Sequence, residues 1–136
     1  MYAESLAHTL MAHLIRKYSR DRIRSRVVRH GLPKRSLARV VDFIHAHLDD
    51  RLSLKQLADI AEISPSHFLL LFKLATGTAP HQYVIAQRVE KAKALLMRTG
   101  LPIADIAGQT GFADQSHLTR LMRRHTGLTP KAFRRG

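Results

Sequence analysis

The sequence predicts an all-α protein. Two units of short helix, tight turn and longer helix are joined by a long linking helix and preceded by an N-terminal helix and a basic linker. Three observations carry this. Apolar residues recur at i, i+3 and i+4 through most of the chain, and no stretch alternates at period two for long enough to form a strand. Cap and turn signals divide the chain into short pieces. The second half repeats the first about fifty positions later. The 136 residues, 45% of them apolar, suit one domain-sized core.

Each helix has a local reason. Leu6, Leu10 and Leu14, with Ala7, Met11 and Tyr18, form one apolar stripe, so residues 1–18 read as an amphipathic helix. Residues 19–35 are a basic linker interrupted by His30-Gly31-Leu32-Pro33, where Gly and Pro break any helix. A helix over Ser36 to Leu48 would bury Leu37, Val40, Val41, Ile44 and Leu48. Ser53 and Gln56 have capping-box spacing, opening a short helix that buries Leu54, Leu57, Ala58 and Ala61. Ser64-Pro65 is an N-cap and first-turn pair, and its helix stops at Gly77. Pro80 starts a long helix to Thr99 with Val84, Ile85, Val89, Ala92 and Leu96 inward. Helices over 103–109, 114–125 and 130–134 complete the set.

The repeat is in register. Ser66-His67, Leu71, Lys73, Thr76-Gly77, Pro80 and Tyr83 recur fifty positions later as Ser116-His117, Leu121, Arg123, Thr126-Gly127, Pro130 and Phe133. Upstream, Leu54, Leu57 and Ala58 match Ile103, Ile106 and Ala107 at an offset of forty-nine, which places one added residue around Thr110-Gly111. A short helix, a turn and a longer capped helix, with a small Ala where the two cross, is the helix-turn-helix pattern. A duplicated hairpin could serve only to build a core, but the basic and polar outer face of the second long helix argues against that. The linking helix spans roughly 30 Å at 1.5 Å per residue, near the ~34 Å between major-groove segments on one face of B-DNA. An ordinary core helix of coincidental length fits the same number.

Charge narrows the chemistry. The formal charge is +13, from 23 Lys+Arg against 10 Asp+Glu. It divides as −1 over residues 1–15, +9 over 16–39, −1 over 40–119 and +6 over 120–136. Such a balance points to an anionic partner, of which nucleic acid is the commonest. With no cysteine there is no disulfide, thiolate zinc site or cysteine nucleophile. Nine histidines occur without a His-Glu-x-x-His motif or a carboxylate cluster, and His45 and His47, two apart on a helix, do not face one ligand. No Gly-rich phosphate loop is present, no apolar run approaches the ~18 residues of a membrane span, and the first residues lack the pattern of a signal peptide. The sequence therefore predicts no enzyme, metal or cofactor, no membrane association, and a cytoplasmic protein. A non-specific basic DNA-binding or nucleoid-type protein is the alternative that charge alone leaves standing.

Particular residues go further. Gly111-Phe-Ala-Asp-Gln-Ser-His-Leu-Thr-Arg120, then Thr126-Gly127-Leu-Thr129-Pro130 and Phe133-Arg134, resemble the AraC/XylS family of bacterial transcription regulators. So do Leu57-Ala58, Ser64-Pro-Ser-His-Phe68, Leu71-Phe72-Lys73 and Gly77, and Arg88-Val-Glu-Lys-Ala-Lys-Ala-Leu-Leu96 fits the family's linking helix. The resemblance covers residues 37–135. It implies sequence-specific binding of double-stranded DNA, with helices 65–76 and 114–125 entering neighbouring major grooves. It also implies regulation of transcription, often activation through contact with RNA polymerase. By the same resemblance Ser116, His117 and Arg120, with Ser66 and His67 in the first unit, would contact bases. Arg120 is the foremost reader, because Arg bonds guanine in bidentate fashion. Lys73, Arg123, Arg124 and Lys131 would contact phosphates, which position without specifying. Some relatives carry alkyl-acceptor cysteines, and this chain has none.

The first unit departs from the pattern. Many family members have Arg where this chain has Leu70, and a polar residue in place of Leu69. These leucines, with Leu74, point away from Phe68, Leu71 and Phe72, either to meet thymine methyl groups or to form a patch that meets protein. Residues 1–18 resemble, more loosely, the closing helix of the dimerisation and sensing domain that often precedes this one. The stripe there would suit a homodimer partner or would pack on the 36–48 helix. The basic linker is a solvated segment or adds phosphate contacts.

Overall fold

The computed structural model describes residues 31–136. Among them it contains seven helices and no strand: α1 (Lys34–Ala46), α2 (Leu54–Ala61), α3 (Pro65–Thr76), α4 (Pro80–Arg98), α5 (Ile103–Gln109), α6 (Gln115–Thr126) and α7 (Pro130–Arg135). The predicted helix over 1–18 and residues 19–30 of the linker lie outside the described residues. Two compact units emerge. One comprises residues 53–80 with the described chain up to Phe43, and the other comprises Ile44–Leu52 and His81–Gly136.

In the first unit the buried side chains include Val40, Leu57, Ala58, Phe68, Leu71 and Phe72. Phe68 and Phe72, one turn apart, pack with ring centroids at 5.4 Å. The predicted capping box is present in both directions: the Gln56 N–H donates to Ser53 Oγ at 3.1 Å, and the Ser53 N–H donates to Gln56 Oε1 at 2.9 Å. Ser64 caps α3, accepting from the His67 N–H at 3.3 Å, and Pro65 fills the first turn, where its missing N–H costs nothing. Several expectations need correction. Leu37 and Val41 are half-buried, not buried. The first helix runs from Lys34 to Ala46, two residues earlier at each end than its apolar spacing suggested, because the Pro33 carbonyl accepts from the Leu37 N–H and starts it. Leu54 is not buried but 37% exposed, since it is the first residue of α2, where the side chain lies ahead of the packed turns.

The second unit has a core of Ile85, Val89, Ala92 and Leu96 from α4, Ile106 and Ala107 from α5, Phe112 from the turn, and Leu118, Leu121 and Met122 from α6. Leu95, Leu101, Ile103 and Phe133 pack against it. Two arginines tie chain ends to this core. Arg88 donates through Nε to the Leu48 carbonyl at 2.9 Å and through a terminal nitrogen to the Asp50 carbonyl at 2.7 Å. Arg134 does the same at the end of α4, reaching the carbonyls of Leu96 and Thr99, each at 3.2 Å. Desolvation pushes the half-buried Arg88 guanidinium below its usual value, with the charge of Asp49 opposing. The planar fork suits such paired acceptors, which a lysine could not span.

The repeat holds atom by atom. At an offset of forty-nine, Ile63 N–H to Ala58 carbonyl (3.1 Å) matches Phe112 N–H to Ala107 carbonyl (2.9 Å). At an offset of fifty, the Ser64 cap matches Asp114, whose Oδ1 accepts from the His117 N–H at 2.8 Å. The added residue is therefore Ala113, between Phe112 and Asp114, and not one at Thr110-Gly111. Downstream, the Gly77 N–H to Lys73 carbonyl bond recurs as Gly127 to Arg123, both at 2.8 Å. Thr76 and Thr126 each bond back to the carbonyl four residues earlier, at 2.9 and 2.8 Å.

The two turns differ in strain. Both need a left-handed residue after the first helix, supplied by Glu62 (φ 62°) in one and Gly111 (φ 87°) in the other. At Gly111 a side chain is also sterically excluded. A Cβ there would run into the Leu48 carbonyl oxygen and come within 2.6 Å of Arg88 Nε. Gly111→Ala is expected to cost at least about 2 kcal/mol in urea unfolding, through backbone strain plus overpacking against backbone. Glu62→Gly should gain about 0.5–1 kcal/mol by the same measurement, the relief of left-handed strain less the added chain entropy.

Candidate nucleic-acid interface

The outer face of α6 follows from its register. Leu118, Leu121 and Met122 turn into the core, so the opposite side presents Ser116, Thr119, Arg120 and Arg123 at i, i+3, i+4 and i+7 spacing. Together with Gln115 these residues line an open surface depression of ≈ 660 Å³. Ser116, Arg120 and Arg123, expected from sequence, thus share one site. Gln115 and Thr119 complete it and were missed. Helical spacing from Ser116 and Arg123 would have found Thr119, whereas no motif marks Gln115.

The electrostatics of this face are one-sided. From Gln115 to the end of the chain there is no acidic residue. The ion pairs among the described residues join Lys55 to Asp59 and Lys93 to Glu90, so none of their carboxylates neutralises Arg120, Arg123 or Arg124. Arg123 and Arg124 lie in the last turn of α6, where cations also complement the helix dipole. That local benefit accounts for basic residues at a helix end. It does not account for Arg120, which sits mid-helix. Arg124 and, on α7, Lys131 are exposed outside the depression.

His117 is placed differently from its neighbours. Its Nδ1 accepts from the Ala113 N–H at 3.2 Å, and its ring stands edge-on to Phe112, 82° between planes and 5.4 Å between centroids. The imidazole therefore braces the turn and satisfies the N–H of the one residue by which the second turn exceeds the first. It does not line the depression. In the first unit Ser66 and Lys73 are exposed on α3 and His67 is half-buried. Of the three leucines expected outward there, Leu69 is 41% exposed while Leu70 and Leu74 are half-buried.

This arrangement, a capped second helix beyond a tight turn presenting a polar, cationic face with no ion pair among the described residues, defines the class of helix-turn-helix proteins. Comparison with known proteins gives the family. A model described as a helix-turn-helix domain matches residues 57–136. The transcriptional regulator YobQ of Bacillus subtilis is 33% identical over 107 residues, 79% of this chain and 44% of that protein. The arabinose operon regulatory protein of Salmonella typhimurium is 32% identical over 139 aligned positions, covering 99% of this chain and 47% of its own length. Among solved structures, the DNA-binding domain of the global transcriptional factor AdpA, in complex with a target DNA, superposes with a TM-score of 0.71 at 35% identity, covering 74% of this chain and 90% of that one. An AraC-type regulator from Chromobacterium violaceum gives 0.71 at 28% identity, covering 75% and 91%. The chain belongs to the AraC/XylS family of transcription regulators. It spans less than half the length of these curated relatives.

The bracing role of His117 is testable without DNA. His117→Ala leaves the Ala113 N–H without its partner and Phe112 without its ring contact, so urea unfolding should show a loss of about 1–2 kcal/mol.

Proposed function

We propose that this protein is a sequence-specific double-stranded DNA-binding transcription regulator and not an enzyme. The observation that carries the reading is the outer face of α6, where Gln115, Ser116, Thr119, Arg120 and Arg123 line one depression without a neutralising carboxylate. AdpA, similar in fold and sequence, is solved with target DNA.

In this reading α6 lies in a major groove. Arg120 donates to a guanine edge, Ser116 and Thr119 bond neighbouring bases, and Arg123, Arg124 and Lys131 neutralise phosphates. His117 contributes chiefly by fixing the turn, with its second ring nitrogen left for a base. On α3, Ser66 and His67 approach bases and Lys73 a phosphate. The 19 residues of α4 span about 28 Å. In this reading α3 and α6 enter neighbouring major grooves. The protein acts in the cytoplasm on the nucleoid, as an activator that contacts RNA polymerase, and as a homodimer.

In vitro selection of DNA sites at physiological salt tests this reading. A motif with two half-sites about one helical turn apart, preferred tens- to thousands-fold over random DNA, is the expected result. Recovery of no motif, with a steep salt slope on any DNA, would establish the non-specific nucleoid-type alternative instead. Arg120→Ala should relax preference at particular base pairs at a cost of about 1–3 kcal/mol. Lys131→Ala should weaken all sequences alike and reduce the salt slope by about one. Equal loss on every sequence for Arg120→Ala would remove that residue from base reading.

A further inference from the structure

The caps fix how the two recognition helices correspond. Both α3 and α6 have 12 residues, begin on a side-chain cap to the third N–H, and end on a glycine whose N–H bonds the carbonyl four residues back. At an offset of fifty, Ser66 stands for Ser116, Leu69 for Thr119, Leu70 for Arg120 and Lys73 for Arg123. The positions that form the hydrogen-bonding centre of the α6 face are therefore apolar on α3, between a conserved-in-register serine and a conserved-in-register cation.

Leu69 is not a core residue displaced outward. Phe68, Leu71 and Phe72 fill the interior and are fully buried, while Leu69 keeps 41% of its surface. Single exposed leucines are common on protein surfaces, and Met97 and Leu128 are more exposed than Leu69; what singles out Leu69 is its register, at the position that Thr119 holds on the α6 face. The flanking Ser66 and Lys73 retain the polar and cationic character of Ser116 and Arg123, and so the covering surface is the same kind of surface that α6 meets. In a major groove the one apolar group on a base edge is the thymine 5-methyl.

We infer that Leu69, flanked by Leu70, reads thymine methyl groups, so that the two helices read one site by different chemistry: α6 by hydrogen bonds to guanine-containing steps, α3 by apolar contact with thymines. This rests on the DNA-binding reading above and adds which bases the first helix prefers and how it tells them apart.

Deoxyuridine differs from thymidine only by that methyl group, which isolates the contact. Sites selected by the wild-type chain are made with deoxyuridine in place of single thymidines, and binding is measured at physiological salt. The half-site for α3 is the one whose preference survives Arg120→Ala. There, one or two replacements should weaken the wild-type chain about three- to tenfold, the scale of losing a buried methyl contact. Leu69→Ala should bind the thymine and uracil forms alike. Leu69→Met, which keeps an apolar side chain, should retain the discrimination. In the α6 half-site, Leu69→Ala and the wild-type chain should respond identically to every replacement. The inference is overturned if uracil anywhere in the α3 half-site leaves wild-type affinity unchanged while site-selective binding persists. It is equally overturned if Leu69→Ala keeps the full preference for thymine. Failure to select any motif overturns the DNA-reading proposal itself, and this inference with it.

Discussion

The Arg88 guanidinium holds the second unit together at the point where its turn is made. It joins two carbonyls of the segment after α1, Leu48 and Asp50, and lies against the backbone of Gly111. The Leu48 carbonyl has no helix to satisfy it, and burying it unpaired would cost more than the bond itself contributes. The same close approach leaves no room for a Cβ at position 111. The left-handed turn at Gly111 meets that constraint, and Phe112 and the Asp114 cap of α6 come directly after it. Arg134 repeats the device at the end of α4. Two of the chain's 23 basic side chains are thus committed to architecture, and a count of positive charge overstates what is available to an anionic partner.

The two helix-turn-helix units show how one local pattern supports two surfaces. Their caps, back-bonded threonines and terminal glycines coincide, so the backbone frame is shared. What differs is carried by side chains that the frame leaves free. In the second unit these are Gln115, Ser116, Thr119, Arg120 and Arg123, and in the first Leu69 and Leu70 occupy the central positions. Even the turns diverge within the frame. The second has one more residue, Ala113, and His117 closes it by accepting that residue's N–H. The first makes its left-handed position from Glu62, at a cost in backbone strain, whereas at Gly111 a Cβ would also run into the Leu48 carbonyl oxygen.

The local signals were legible in the sequence because each is a short-range event. A Ser or Asp side chain reaches an N–H three residues on, a glycine accepts a positive φ, and apolar spacing selects a face. These interactions involve residues a few positions apart, so the caps at Ser53 and Ser64, the helix limits of α5, and the repeat itself could be read in order. The misreadings share a cause as well. Leu54 fits the apolar spacing yet opens its helix ahead of the packed turns. The added residue was placed near Thr110-Gly111 because matching letters do not reveal which N–H bonds which carbonyl.

The sequence alone determined that the protein is helical, duplicated and unevenly basic, and that Ser116, Arg120 and Arg123 fall on one helical face. Only the tertiary structure decided which charged and polar groups remain free on that face. Arg88 and Arg134 are drawn inward by carbonyls 35 to 40 residues away in the chain, and His117 is turned toward the Ala113 N–H and the Phe112 ring. Local chemistry sets which direction a side chain leaves its helix. Long-range packing sets whether it meets backbone, core or solvent there, and for cations that difference separates a structural clamp from a group able to meet a base or a phosphate.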